Sequence, residues 1–139
     1  MGLFDFFTID KKENRKTITN SIGVFQLLSI SGLTHYQGKV RSKVNNNIEI
    51  LFPIKHDGIS PYQVEYFKRI ENSWIPIWNQ ISTHKKSINF NDYSVVRILI
   101  PDKGNEHYNI DAEIVLQKDG NIVSLLMKDL NIEEIVEIN

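Results

Sequence analysis

Cysteine is absent from the 139-residue chain. That excludes a disulfide framework, thiolate metal ligation and thiol nucleophiles together. No apolar run approaches about 18 residues, so no segment is expected to cross a bilayer as a helix. The apolar start, Leu3 to Phe7, is interrupted by Asp5, and its lysines follow it, the wrong order for a secretory leader. Gly2 stands where a myristoylated glycine would, but residue 6 is Phe instead of Ser or Thr. A cytoplasmic location is the expectation. Net charge is scarce as well, at −1, and basic residues interleaved with exposed aromatics are lacking, so no nucleic-acid partner is expected. There is no phosphate-cradling glycine loop, no dinucleotide fingerprint and no nucleophile elbow, hence no expected cofactor. The four histidines, His35, His56, His84 and His107, are dispersed. None has another ligand at helical spacing, so no metal site is expected. The abundance of Ile, Asn and Lys suits an AT-rich bacterial genome.

The most informative stretch is Ile59 to Ile81, which carries both tryptophans. Ser60 is a good N-cap, Pro61 fits the first helical position, and Gln63 completes a capping box. At about 100° per residue, Val64, Tyr66, Phe67, Ile70, Trp74, Ile75, Ile77, Trp78 and Ile81 share one half of a helix. Glu65, Lys68, Arg69, Asn72 and Asn79 occupy the other half. Pro76 removes one backbone bond and crowds the Asn72 carbonyl. The apolar face continues in phase beyond it, which predicts one long kinked helix; the alternative is two short helices split near Ser73. Glu71 projects into the apolar arc. It either reaches solvent or a nearby cation, or is a buried carboxylate of functional interest.

Before this segment, Met1 to Ser21 forms a partly ordered lead-in, with Lys11 to Asn20 read as loop. Its Leu3, Phe4, Phe6 and Phe7 serve as a plug for an open core edge, a tail, or an interfacial anchor. Residues 22–139 form a single domain. Gly23 to Ile30 reads as a strand ending at the Ser31-Gly32 turn. Thr34 to Val44 and Ile48 to Ile54 read as a hairpin. A three-residue Asn45 to Asn47 loop pairs Val44 with Ile48 and Lys43 with Glu49, which keeps the faces separate. Lys39, Arg41 and Lys43 then form an outward basic row. After a polar connection from His84 to Asp92, strands follow at Val95 to Ile100, Tyr108 to Leu116 and Asn121 to Met127. The first of these puts Val96, Ile98 and Ile100 on one face. The Asp119-Gly120 hairpin signal sets Ile114 against Leu125, Leu116 against Val123 and Ala112 against Met127. It also sets Asp111 against Lys128 and within reach of Arg97. Asn131 with Glu134 suggests a cap for a short terminal helix through Ile132, Ile135 and Val136. The fold class expected is α+β: a mostly antiparallel sheet of about six strands, with three strands, the kinked helix, three more strands and the terminal helix. The long helix packs on one face.

The densest polar group runs from Glu106 to Glu113. In a strand, His107, Asn109, Asp111 and Glu113 would share a face, and a base with a paired carboxylate could be drawn from them. A solvent-facing row salt-bridged to Arg97 and Lys128 accounts for the same pattern. Charge is also unevenly placed: 13 basic and 8 acidic residues up to position 97, then 3 and 9. The acidic C-terminal third, with Asp111, Glu113, Glu133, Glu134 and Glu137, could steer a basic partner. Trp74 and Trp78, one turn apart, form an aromatic platform or pack in the core.

Gly23-Val24-Phe25, the Tyr36 to Phe52 hairpin and Ser60-Pro61-Tyr62-Gln63 opening a helix resemble small bacterial domains among the immunity proteins of polymorphic toxin systems. The similarity runs from about Ile22 to Ile135, with the Asp111-Ala112-Glu113 strand where those domains carry an acidic motif. The chain has Ile110-Asp111-Ala112-Glu113-Ile114 in place of that family's Trp-Asp-x-Glu-His, so no functional residue carries over. The resemblance implies a cytoplasmic, non-enzymatic binding protein that occludes a toxin-like, basic partner. Two other functions fit the residues: a partner-docking protein using the Phe-rich N-terminus, and a small enzyme using His107, Asp111 and Glu113.

Overall fold

A computed structural model describes residues 16–84 and 89–138. The Phe-rich start lies outside them, as do the readings that rest on it. The described chain is mostly β, with eight strands in one mixed sheet whose spatial order follows the sequence. They are β1 (Thr17–Thr19), β2 (Val24–Ile30), β3 (Leu33–Val40), β4 (Ile48–Pro53), β5 (Ser94–Leu99), β6 (Ala112–Lys118), β7 (Asn121–Lys128) and β8 (Asn131–Ile138). All neighbouring pairs are antiparallel except β4–β5. A parallel pair requires a crossover, and helices α1 (Pro61–Asn72) and α2 (Trp74–His84) supply it, followed by a 3-10 turn at Phe90–Asp92.

This corrects the expected six-strand α+β sheet with one long helix and a terminal helix. The first difference is the helix break. Ser60 accepts the Gln63 N–H, Gln63 returns a bond to the Ser60 N–H, and Pro61 opens the helix, as its sequence implies. At Ser73 the backbone leaves helical geometry (φ −108°, ψ 18°). A new helix starts at Trp74, which places Pro76 in a first turn, where a missing N–H costs nothing. The alternative of two helices is therefore the observed one.

The second difference is β8. Apolar residues at 132, 135 and 136 mimic helical spacing, but a β-bulge lies between the pairs Leu126–Glu134 and Met127–Ile132. The extra residue, Glu133, resets the alternation. Ile132 and Ile135 consequently fall on one face, opposite Met127 and Leu125. β5 uses the same device: a bulge between Val95 and Arg97 turns Val95 inward with Ile98 and Ile100 and leaves Val96 only half-buried.

A third difference is register. β3 pairs with β4 as Val40–Ile48 and Lys39–Glu49, four residues from the expected alignment. Residues 41–47 leave the ladder because they bond elsewhere. The buried Ser42 hydroxyl donates to Glu71 Oε2 (2.8 Å), and Asn45 Nδ2 donates to the Val95 carbonyl at the β5 bulge (2.9 Å). Only Lys39 of the basic row sits in a strand. Thr17–Thr19, inside the polar lead-in, pairs with β2. The β6–β7 pairing follows the predicted register from Ala112–Met127 to Leu116–Val123, but Asp111 lies outside the ladder and does not pair with Lys128.

The core lies between the helices and one face of the sheet. Phe25, Tyr36, Ile48, Ile50, Phe52, Ile98, Ile100, Ile114, Leu116 and Leu125 are fully buried there against Tyr66, Phe67, Ile70, Ile77 and Ile81. Gly38 is required in this layer. A Cβ there would sit 2.3 Å from the Val24 carbonyl oxygen and 2.9 Å from the Phe25 ring. Gln63 is completely buried and joins the parallel strands, donating to the carbonyls of Pro53 (2.7 Å) and Ile100 (2.9 Å).

Candidate functional site

The strand that carries the predicted catalytic row begins at Ala112, four residues later than expected. Residues 101–111 turn instead. The Asn105 and Tyr108 N–H groups bond back to the carbonyls of Asp102 and Asn105, and Gly104 takes φ 78°. His107 is exposed in this loop, its N–H on Asn105 Oδ1. Asp111 is held by the β7–β8 turn, accepting the Asp129 N–H (2.8 Å). Glu113 lies on β6 and accepts the Ser124 hydroxyl. His107, Asp111 and Glu113 therefore do not form one row. Arg97 pairs with Glu49 (2.7 Å), not with Asp111. Among the described residues no group of His, Asp and Glu could hold a metal ion.

The acidic set is divided in the same way. Strand register puts Glu113, Leu126 and Glu134 side by side on the sheet face away from the helices. Glu133 is exposed at the bulge. Glu137 lies opposite Val123, on the helix side of β8, near its end. The open face itself is ordered by a polar chain. Gln37 contacts His35 (3.3 Å) and donates to Glu49 (2.7 Å), and Glu49 accepts Arg97 Nε (2.8 Å). Beside this chain, half-buried Leu51, Leu99 and Leu126 lie on one rung of the sheet and Val115 and Val136 on the next.

Glu71 is half-buried and bonds a hydroxyl and a backbone N–H rather than a cation. Its Oε2 accepts the Ser42 hydroxyl (2.8 Å) and the Lys43 N–H (3.2 Å), which pins the β3–β4 loop to the end of α1. At the other end of the helix layer, two left-handed residues, Asp129 (φ 50°) and Leu130 (φ 64°), make the β7–β8 turn. The Tyr66 hydroxyl accepts the Leu130 N–H (3.1 Å), and Gln80 donates to the Leu130 carbonyl (3.4 Å) and accepts the Ile132 N–H (2.7 Å). Burial pushes the Tyr66 phenol up to about 12, against the opposing pull of that N–H. Tyr62 and Tyr108 are raised as well, both chiefly by burial.

A hollow lies at the start of α2. It has a volume of about 430 Å³ and is walled by Trp74, Trp78 and Tyr93, with Val44, Val95 and Ile75. The indole centroids are 5.7 Å apart with planes inclined by 42°. Both indoles are half-buried and pack against the core, and Ile75 is 73% exposed at the rim. Asn45, Asn79, Asn91 and Ser94 complete the lining, which has no charged side chain among the described residues. Sequence reasoning flagged the tryptophans but not Tyr93 or the asparagines. Those come from three separate segments, one of which the Asn45 side chain ties to the β5 bulge. Comparisons with protein-family models, with curated proteins and with solved structures found no match.

Proposed function

We propose that this chain is a non-enzymatic protein-binding module of the immunity type, which occludes a basic, toxin-like partner with the open face and acidic edge of its sheet. The observation that carries this reading is the open face. There Glu113 and Glu134 flank Leu126 and Val136, an apolar strip with negative charge beside it. Apolar area of this kind supplies contact, and charge of one sign raises the rate of encounter with an oppositely charged protein. The dispersal of His107, Asp111 and Glu113 removes the arrangement on which the enzymatic reading rested. The expected experiment uses the product of the adjacent open reading frame as partner. Wild-type chain should co-purify with it and relieve its toxicity. Reversing Glu133, Glu134 and Glu137 to Lys should slow association about tenfold at low salt, with the gap closing as salt is raised. Unchanged capture and rescue by the triple variant would remove the acidic edge strand from the reading.

A further inference from the structure

We propose that the cleft between Trp74, Trp78 and Tyr93 is a binding site for an uncharged sugar. The inference is independent of the partner-binding face, which uses other residues.

The chemistry of the walls selects the ligand. Among the described residues the lining has no Lys, Arg or His, so none of them compensates the charge of a phosphate, nucleotide or carboxylate. It has no Asp or Glu among them either, so none of them holds a cation. An alkyl chain would match the indoles but would bury amides without partners, which is unfavourable. The side-chain amides of Asn79 and Asn91 have no hydrogen-bond partner among the described residues; only backbone groups of these two residues are engaged. Each amide offers donors and an acceptor. A sugar hydroxyl is donor and acceptor at once, and vicinal hydroxyls match an amide pair. The C–H face of a pyranose ring is apolar and flat, as an indole face is. The two inclined indoles and Tyr93 supply such faces, with the amides at their margin.

Size and pre-organisation agree. A volume of about 430 Å³ is within the range of small-ligand clefts. A second hollow of about 280 Å³ adjoins it, sharing Trp78, Asn79 and Asn91. A ligand of two or more rings could extend along both. One wall is already fixed, because Asn45 is tied through Nδ2 to the Val95 carbonyl and through Oδ1 to the Asn46 N–H.

The chain contains two tryptophans, and both line this cleft. Intrinsic fluorescence therefore reports on the site directly. Full-length protein is titrated with maltotriose, cellotriose and the N-acetylglucosamine trimer, with an acidic trisaccharide and a Trp-rich peptide as comparisons. A saturable change with at least one neutral sugar is expected, with a Kd on the order of 1 mM or tighter. Asn79→Ala combined with Asn91→Ala should weaken it about tenfold while the thermal midpoint stays fixed, since both side chains are exposed. Absence of response to every neutral sugar at roughly 10 mM overturns the proposal. So does equal affinity in the double variant, or a response to the peptide alone.

Discussion

Tyr66 shows how one side chain couples the helix layer to a strained turn. Leu130 holds a left-handed backbone, which costs an ordinary residue roughly 1–2 kcal/mol. The Tyr66 hydroxyl accepts its N–H from the far side of the core. Because the phenol is 3% exposed, ionising it inside the fold is unfavourable, and its pKa moves from 10.0 to about 12. Below pH 10 both folded and unfolded chains hold the proton, and the fold keeps its full stability. Between about 10 and about 12 the unfolded chain has released the proton while the fold retains it, so stability falls with pH, by roughly 2–3 kcal/mol for this group. Urea denaturation at stepped alkaline pH should show the fall. Tyr66→Phe should lose about 0.5–1.5 kcal/mol at neutral pH and show a shallower alkaline limb. The slope that remains belongs to the other raised phenols, Tyr62 and Tyr108. An identical alkaline limb in the variant would mean that Tyr66 does not hold its proton there.

At the scale of elements, the bulges decide what a sequence pattern can reveal. Where a strand alternates without interruption, as in β6 and β7, register was legible from the Asp119-Gly120 turn and the apolar positions alone. Where an extra residue enters, the period becomes three, and β8 reads as a helix. The capping box at Ser60 was legible because its bonds are local; the split at Ser73 was ambiguous because a proline either kinks a helix or starts one. The seven-residue β3–β4 connection was illegible, since its conformation is set by Glu71 and Val95, far along the chain. A direct test of the bulge is deletion of Glu133. It leaves Ile132 and Ile135 two positions apart, so plain alternation keeps both facing the helices. The deletion should therefore cost no more than about 1 kcal/mol in chemical denaturation. Glu133→Ala keeps the residue count and the bulge and should stay within about 0.5 kcal/mol of wild type. A loss of about 1.5–3 kcal/mol on deletion, the cost of turning one isoleucine outward, would show that Glu133 is not the extra residue.

For the whole molecule, sequential strand order makes two four-stranded meanders, β1–β4 and β5–β8, joined at one place. The acidic third of the chain lies within the second meander. Its charges were legible as composition, but their placement was not, because turn, bulge and edge send Asp111, Glu133 and Glu137 away from the face that Glu113 and Glu134 share. The join is short. The parallel ladder pairs Glu49–Arg97, Ile50–Ile98 and Leu51–Leu99, and the backbone of residues 100 and 102 extends it by two bonds. Gln63 bridges its far end, and the same amide closes the α1 cap on Ser60. Gln63→Leu would keep the volume but leave the Ile100 carbonyl and the Ser60 N–H without these partners, at about 2–4 kcal/mol. If the join makes the two meanders one cooperative unit, tryptophan fluorescence and far-UV circular dichroism should still give coincident urea transitions in the variant, displaced to lower urea with unchanged slope. Two separated transitions would mean that the meanders fold as independent units and that the buried glutamine joins them without coupling them.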